Sequence, residues 1–497
     1  MSFERASFIG QTGDVEFDTA REMEGGMKRV YFTRDKSCVV AFFKDPNWAQ
    51  INRDRLTRVV ENFNPTKVGS IQAEYWRNLF CWPTHLVTHP QHGLGLLLPT
   101  YPKDFFFKAG KLAGKEKDGA WYNGTNPVTK RPWRHDLIDP SERGNLATYL
   151  VALSRVARAV QKMHAAGLAH SDLSERNVLI DPVTGRAIII DVDALVVTGL
   201  YPPEVMGTPG FIAPEVMATK RLAFTDPQRK HACADTDQYA LAVLIFRFLL
   251  QRHPLEGPRF IKGLSADDEE EALMGGQALY SEHRSNFSNR PKGAFLSAKD
   301  LGKTIDDLFH KTFVDGLLNP NARPTASNWA DALADAFDRL LACSNPACSQ
   351  RWYVLSDPNA PTCPYCHTRY RGTFSQIKLT HEDPKFTSNL GVVTLNGFQD
   401  GDGTLLYRHH AYKGAVRGPG QDNTILAKVI FINKPQPTYY LQNVNLPNMM
   451  VRNVSAVLPA YQAFPVGNKL RLNSGLQLKF GTESEALTGT IVTHDHP

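Results

Sequence analysis

Two carboxylates and one carboxamide stand close together in the stretch HAAGLAHSDLSERNVLIDPVTGRAIIIDVD, His164 to Asp193. Asp172 lies in a polar loop, Asn177 comes five residues later, and Asp191 follows the apolar run Ile188-Ile189-Ile190. The stretch reads as a helix end, a loop, a short strand, a turn and a second apolar strand. Hard oxygen donors held by such a tight hairpin suit a divalent cation on a polyphosphate, and one acid remains to orient a hydroxyl.

The elements that must position these residues flank them. Leu150, Leu153, Val156, Val160 and Met163 recur at helical spacing, so a helix over about 146–165 delivers the chain into the loop. Far upstream, residues 24–44 read as two or three strands, with Val39 to Phe43 a buried-strand run that Lys44 ends. A helix is expected over about 47–62, and 94–101, LGLLLPTY, reads as a further strand. Residues 108–145, rich in Gly, Lys, Pro and Asp, read as an insertion that carries no chemistry. Downstream, Asp237 opens a strongly apolar helix.

This arrangement resembles the catalytic core of protein kinases. His170-Ser171-Asp172 stands where that family has His-Arg-Asp, Asn177 keeps the family's spacing, and Asp191-Val192-Asp193 stands at Asp-Phe-Gly. The resemblance implies a bilobal α+β fold, Asp172 as catalytic base, and Asn177 and Asp191 as magnesium ligands on ATP. It also implies that Lys44 binds the phosphates, that Gly25 and Gly26 belong to the glycine-rich loop, and that the adenine bonds to backbone near Leu98 to Tyr101. The full G-x-G-x-x-G is absent, and a plain hairpin turn explains the paired glycines equally well. Glu61 and Glu74 both stand at a workable distance to pair with Lys44. Gly207-Thr208-Pro209-Gly210-Phe211-Ile212-Ala213-Pro214-Glu215 is similar to the segment with which Ser/Thr kinases close their peptide platform. Arg323 stands where the family ion-pairs with that glutamate, and Asp237 where it anchors the catalytic loop. Phosphotransferases of the aminoglycoside type generally lack the Ala-Pro-Glu segment and the late Arg-Pro, so a protein substrate is favoured.

Several positions depart from the family. Ser171 replaces the arginine that receives an activation-loop phosphate, so switching by phosphorylation of that loop is not implied, and Thr198 and Tyr201 read as ordinary loop residues. Ser174 replaces a lysine that touches the γ-phosphate, Asp193 replaces a glycine, and Ala242 replaces a glycine in the buried helix. None removes a metal ligand or the base, which favours activity. The alternative is a pseudokinase scaffold that binds nucleotide or partners without transfer.

With 497 residues the chain has room for about three domains at roughly 100–200 residues each. A 42% hydrophobic, 21% charged composition is that of an ordinary soluble protein, and a net charge of +6 over this length argues for neither nucleic acid nor membrane. The start, MSFERASFIG, has no apolar core of signal-peptide length, and the run from Tyr239 to Leu250 is too short to span a bilayer, so the expected location is the cytoplasm. Cys343, Cys348, Cys363 and Cys366 form a C-x4-C…C-x2-C pattern, which predicts a zinc ribbon with a structural Zn2+.

From about Thr373 short alternating apolar runs with Asn-Gly, Asp-Gly and Ser-Gly turns predict an antiparallel β-sandwich. Its ending, NKLRLNSGLQLKFG, is faintly similar to the last strands of forkhead-associated domains, without that family's phosphate-reading pair. Asp400-Gly401-Asp402-Gly403 reads as a hairpin turn, His409-His410 as a surface pair, and the acid run Asp267 to Glu271 as a solvated helix start. The expected domains are a kinase N-lobe over 1–101, a C-lobe over 102–340, a zinc ribbon over 341–372 and a β-sandwich over 373–497. That order resembles the kinases of bacterial phosphorylation triads associated with tellurite resistance. The resemblance implies a PP2C-type phosphatase and a von Willebrand A-type protein as partners, beside a protein substrate.

Overall fold

A computed structural model describes residues 2–24, 26–67, 69, 72–122, 137–192, 195–197, 200–201, 206–258, 265, 268, 273–292, 296–386, 390–397, 403–417, 424–432, 438–453 and 460–496. The expectations at Gly25, Asp193, Thr198, Asp267, Glu271, Asp400, Gly401 and Asp402 lie outside these residues. The chain separates into two compact units, one of Met1–Arg143, Val156–Pro291 and His310–Ser327, the other of Gly144–Arg155, Lys292–Phe309 and Asn328–Pro497. Residues 144–155, 292–309 and 328–340 thus cluster with the C-terminal third.

The first unit begins with six strands: β1 (Phe3–Phe8), β2 (Asp14–Glu24), β3 (Lys28–Thr33), β4 (Cys38–Phe43), β5 (His85–His89) and β6 (Gly93–Pro99). They close an antiparallel barrel in the order β1-β2-β3-β4-β6-β5. β1 and β2 escape a sequence reading because FERASF is short, DVEFDTAREME is rich in charge, and each puts a single residue, Ala6 or Phe17, fully into the core. Alternation sorts the side chains. Val40 and Phe42 of β4 join Ala6, Phe17, Tyr31, Val87 and Leu97 in one cluster. Phe43 points the other way and joins Ala49, Leu56, Val60, Leu86 and Leu96.

The helix expected over 47–62 is two helices, α1 (Pro46–Ile51) and α2 (Arg53–Glu61). Asp45 caps α1 by accepting from the Asn47 and Trp48 amides, and the Asn52 side chain donates to the Trp48 carbonyl at 3.0 Å. An asparagine that bonds back to its own turn competes with the helix, which accounts for the break. A short α3 (Ala73–Arg77) precedes β5.

α4 (Leu146–Ala165) has the expected stripe, with Leu150, Leu153, Val156, Val160 and Met163 all buried. The chain then forms β7 (Leu168–Ala169), the hairpin β8 (Val178–Asp181) and β9 (Arg186–Ile189), β10 (Val196–Val197), α5 (Pro214–Ala218) and the almost wholly buried α6 (Ala234–Leu250). The described part of the insertion is built around a buried ammonium. Lys117 Nζ lies 3.2 Å from Glu142 Oε1 and 3.1 Å from Asp181 Oδ1, and it anchors the segment to β8. Stripping water from three charges is tolerable only because each is paired and further hydrogen-bonded.

In the second unit a hairpin of Leu340–Ala342 and Trp352–Val354 precedes two antiparallel sheets. One sheet runs, in spatial order, Val392–Leu395, Gly372–Thr380, Thr488–His496, Leu476–Lys479, Met450–Asn453 and Gln462–Ala463. The other runs Leu405–Leu406, Ala427–Ile432, Thr438–Asn443 and Lys469–Arg471. Ile377, Val393, Leu478 and Ile491 from the first share one apolar core with Val429 and Leu441 from the second. His409 and His410 are not at the surface: their side chains are 7% and 3% exposed, beside Asp338. The Tyr407 amide donates to His410 Nδ1 at 2.9 Å, so His410 carries its proton on Nε2 and donates to Asp338 Oδ1 at 3.0 Å. With both ring nitrogens engaged, His410 ties its short helix to Asp338.

Candidate active site

The loop between β7 and β8 is fixed from behind by one buried carboxylate. Asp237, in the first turn of α6, accepts the His170 amide at 2.6 Å, the Ser171 amide at 3.2 Å and His164 Nε2 at 3.2 Å. His170 Nε2 donates to the Ile190 carbonyl at 2.9 Å and so ties the loop to the end of β9. Ser171 and Asp191 both adopt positive φ, +70° and +56°. Non-glycine residues rarely sit there, and two of them flanking one hairpin mark a backbone held against its own preference.

The β8–β9 register, Val178 opposite Ile189, leaves Asn177 and Ile190 as the next pair, joined by an amide–carbonyl bond of 3.0 Å. Asn177 and Asp191 therefore emerge from the same end of the hairpin. Asn177 Nδ2 donates to the Asp172 carbonyl at 2.7 Å and to Asp172 Oδ2 at 3.1 Å. With its nitrogen so committed, the Asn177 amide oxygen is the atom left for a cation. Thr208 Oγ1 donates to Asp172 Oδ1 at 2.7 Å. Asp172 is thus held on both oxygens, and Asp191, whose side chain is 60% exposed, offers a carboxylate to solvent. An amide oxygen and a carboxylate are the donor chemistry that Mg2+ takes beside substrate phosphates, so the residues present fit that ion.

The two lysines fall differently from expectation. Lys28 lies directly opposite Phe43 in the β3–β4 ladder, and the Lys44 amide continues that ladder to the Met27 carbonyl at 3.0 Å. Side chains alternate along a strand, so Phe43 and Lys28 share one face while Lys44 takes the opposite parity. Lys44 is exposed. Lys28 Nζ reaches to 3.9 Å from Asp191 Oδ1. The ladder thus turns Lys28, on the face of Phe43, toward Asp191, and the expected Lys44 stands at the next position, of opposite parity. The sequence does not show this, because the run Val39 to Phe43 is apolar on both faces and only the register sorts Val40 and Phe42 from Phe43.

Glu61 and Glu74 are both exposed, and among the described residues neither forms an ion pair. Gly26 lies in the β2–β3 turn with open space where a Cβ would stand, so packing does not require a glycine there. Leu98 and Tyr101 pack against the buried cluster of Cys81, Phe105, Leu179, Ile188 and Ile190, which places them beside the hairpin that carries Asn177 and Asp191.

Behind the segment 207–215, Arg323 closes a two-pronged ion pair, Nη1 to Glu215 Oε1 and Nη2 to Oε2, each at 2.7 Å. Its remaining donors reach the Asp235 and Gly316 carbonyls at 3.0 and 2.9 Å. His253 Nε2 donates to the Gly210 carbonyl at 2.8 Å while its Nδ1 accepts the Leu255 amide at 3.2 Å. Burial, reinforced by the Arg247 charge and opposed by the Gly210 bond, pushes the His253 imidazole down to about 3.

The four cysteines converge in the second unit, with Cys343 Sγ 3.5 Å from Cys366 Sγ and Cys348 Sγ 3.9 Å from Cys363 Sγ. All four sulfurs lie within 4.8 Å of one another. A tetrahedral zinc with bonds of about 2.3 Å spaces its sulfurs by about 3.8 Å, so the group could hold that ion.

Residues 137–333 match the family model described as protein kinase domain. Over that stretch, less than half of its length, the chain is similar to the domain of a phosphotransferase enzyme. The serine/threonine-protein kinase PknD of Chlamydia caviae is 27% identical over 149 residues, 26% of this chain and 15% of that protein. The serine/threonine-protein kinase PknA of Mycobacterium tuberculosis is 35% identical over 129 residues, 25% of this chain and 27% of that protein. The chain therefore spans between 15% and 27% of the length of these relatives. Among solved structures, the Cydia pomonella granulovirus kinase PK-1 is 15% identical, with a TM-score of 0.37 over 64% of this chain and 92% of that one. No described helix is long and apolar enough to cross a membrane.

Proposed function

We propose that the chain is an ATP- and magnesium-dependent protein kinase directed to serine or threonine hydroxyls. The single observation that carries this reading is the hold on Asp172: Asn177 and Thr208 occupy its two oxygens from opposite sides, beside an exposed Asp191. Magnesium, when bound by Asn177 and Asp191, supplies charge neutralisation on the nucleotide phosphates. Asp172 accepts the proton of the acceptor hydroxyl as its oxygen bonds to the γ-phosphorus and the bond from that phosphorus to ADP breaks. Asp237, through the His170 and Ser171 amides, keeps the Asp172 backbone from moving during that exchange. Leu98 to Tyr101 receive the base. Ser174 is fully buried and takes no part in phosphate contact.

Beyond the kinase unit, the four cysteines hold a structural zinc and the two-sheet module recruits a protein partner. The order of the segments supports a place beside a PP2C-type phosphatase and a von Willebrand A-type protein. The test is incubation with γ-labelled ATP and magnesium, beside Asp172→Asn and Asp191→Asn controls. Label on protein that disappears in both variants supports the reading. Nucleotide binding without any label would leave a scaffold instead.

A further inference from the structure

We infer that Lys28, on β3, holds the nucleotide phosphates in the place expected of Lys44; this rests on the kinase reading above. The face of the barrel that carries Phe43 also carries Lys28, Val30 and Phe32 of β3, and Ala41 and Val39 of β4, in the pairs Lys28–Phe43, Val30–Ala41 and Phe32–Val39. Val39 in turn stands opposite Leu98 of β6. The row therefore runs over roughly 13 Å, four residues of strand, from an ammonium at one end to apolar side chains at the other. A nucleoside triphosphate has that same polarity, charged at one end and flat and apolar at the other.

The ammonium end is the end at the metal-binding hairpin. Lys28 Nζ stands 3.9 Å from Asp191 Oδ1 and 5.9 Å from the centre of the Phe43 ring, and the side chain is only 17% exposed. Phe43 fills the position whose parity would suit a lysine on β4, and its ring supports the aliphatic stem of Lys28 from the neighbouring strand. An ammonium in this largely desolvated place interacts with anionic oxygen more strongly than one at an exposed position, and Lys44 is exposed. The cation has changed strands while its target stays fixed.

The experiment uses the full chain and four variants: Lys28→Met, Lys28→Arg, Lys44→Met and Asp172→Asn. Affinities for Mg·ATP and for adenosine are measured by titration calorimetry, beside label transfer to protein. Lys28→Met is expected to weaken Mg·ATP by about tenfold or more while adenosine affinity stays within twofold, since one charge-assisted contact is lost and the base site is untouched. Lys28→Arg keeps the charge and should fall between the two. Lys44→Met should leave both affinities within twofold. A tenfold loss of Mg·ATP affinity in Lys44→Met overturns the proposal even if Lys28→Met proves unstable, and so does an unchanged affinity in a folded Lys28→Met. If wild type transfers label and Lys28→Met matches it, the lysine assignment fails and the kinase reading stands. If wild type binds ATP through Lys28 but transfers nothing, as Asp172→Asn does, the kinase reading fails and the lysine assignment stands.

Discussion

Asp237 Oδ2 accepts the backbone amide of His170 at 2.6 Å across 67 residues of sequence. The acid is 1% exposed and serves three donors, the His164 ring and two amides of the loop, so it sets the loop that carries Asp172. Asp237→Ala should cost about 2–4 kcal/mol of stability, because buried amides lose their only charged acceptor. Asp237→Asn should recover a part of that. Urea unfolding of the three proteins is the measurement, and equal midpoints would show that the loop is held by other means.

Arg323 and Glu215 form a pair in which the guanidinium side chain is fully buried and the carboxylate is 22% exposed. Arg323→Met should cost about 3–5 kcal/mol, since it strands Glu215 against the protein interior. The double change Arg323→Met with Glu215→Leu should regain most of the loss, because it removes both charges together. A double variant no more stable than the single would contradict this.

Thr208 Oγ1 supplies one of the two side-chain bonds to Asp172. Thr208→Val, nearly equal in shape, should lower kcat by about tenfold and leave Mg·ATP affinity unchanged, the value of one hydrogen bond to a charged group. Steady-state kinetics with a protein acceptor decide it. A rise in the KM for ATP with kcat intact would reassign Thr208 to nucleotide binding.

His253 is neutral in the fold, with its imidazole held down at about 3, whereas in the unfolded chain it titrates near 6.5. Between those values the unfolded chain binds the extra proton and the folded one does not. Its contribution is therefore complete above about pH 6.5 and is lost as pH falls toward 3, by up to about 1.4 kcal/mol per pH unit. His253→Gln keeps a donor for Gly210 and should flatten this part of the stability–pH curve. The same slope in both proteins would place the acid sensitivity elsewhere.

Purified protein should contain one zinc per chain, released together with four reactive thiols when a chelator and a thiol reagent are added. Metal analysis with thiol counting checks it. A metal-free protein whose 340–372 segment resists proteolysis would show that the cysteines pack without an ion.

How far the sequence could be read depended on the kind of signal. The α4 stripe and the β8–β9 hairpin were legible because their apolar residues recur at one clear period. Asp172, Asn177 and Asp191 were legible as a group because one loop and one hairpin hold them within 20 residues of each other. Short β1 and charged β2 were not, since each buries so little. The α1–α2 break hid in a single asparagine. The approach of Lys28 to Asp191 was not legible, because Lys28 lies on a neighbouring strand and only the β3–β4 register sets it opposite Phe43. His409-His410 look solvated in sequence, and only the Asp338 carboxylate and the Tyr407 amide, distant or easily overlooked, make their burial tolerable.

The closure of β1 onto both β2 and β5 has a consequence for association. A ring of strands presents no unsatisfied row of amides and carbonyls to a neighbour. Where its strands pair, this lobe is consequently denied the commonest way in which sheets recruit extended peptides or seed fibres, and the short β1–β5 seam, Ser7–Thr88 and Phe8–Val87, is its weakest closure.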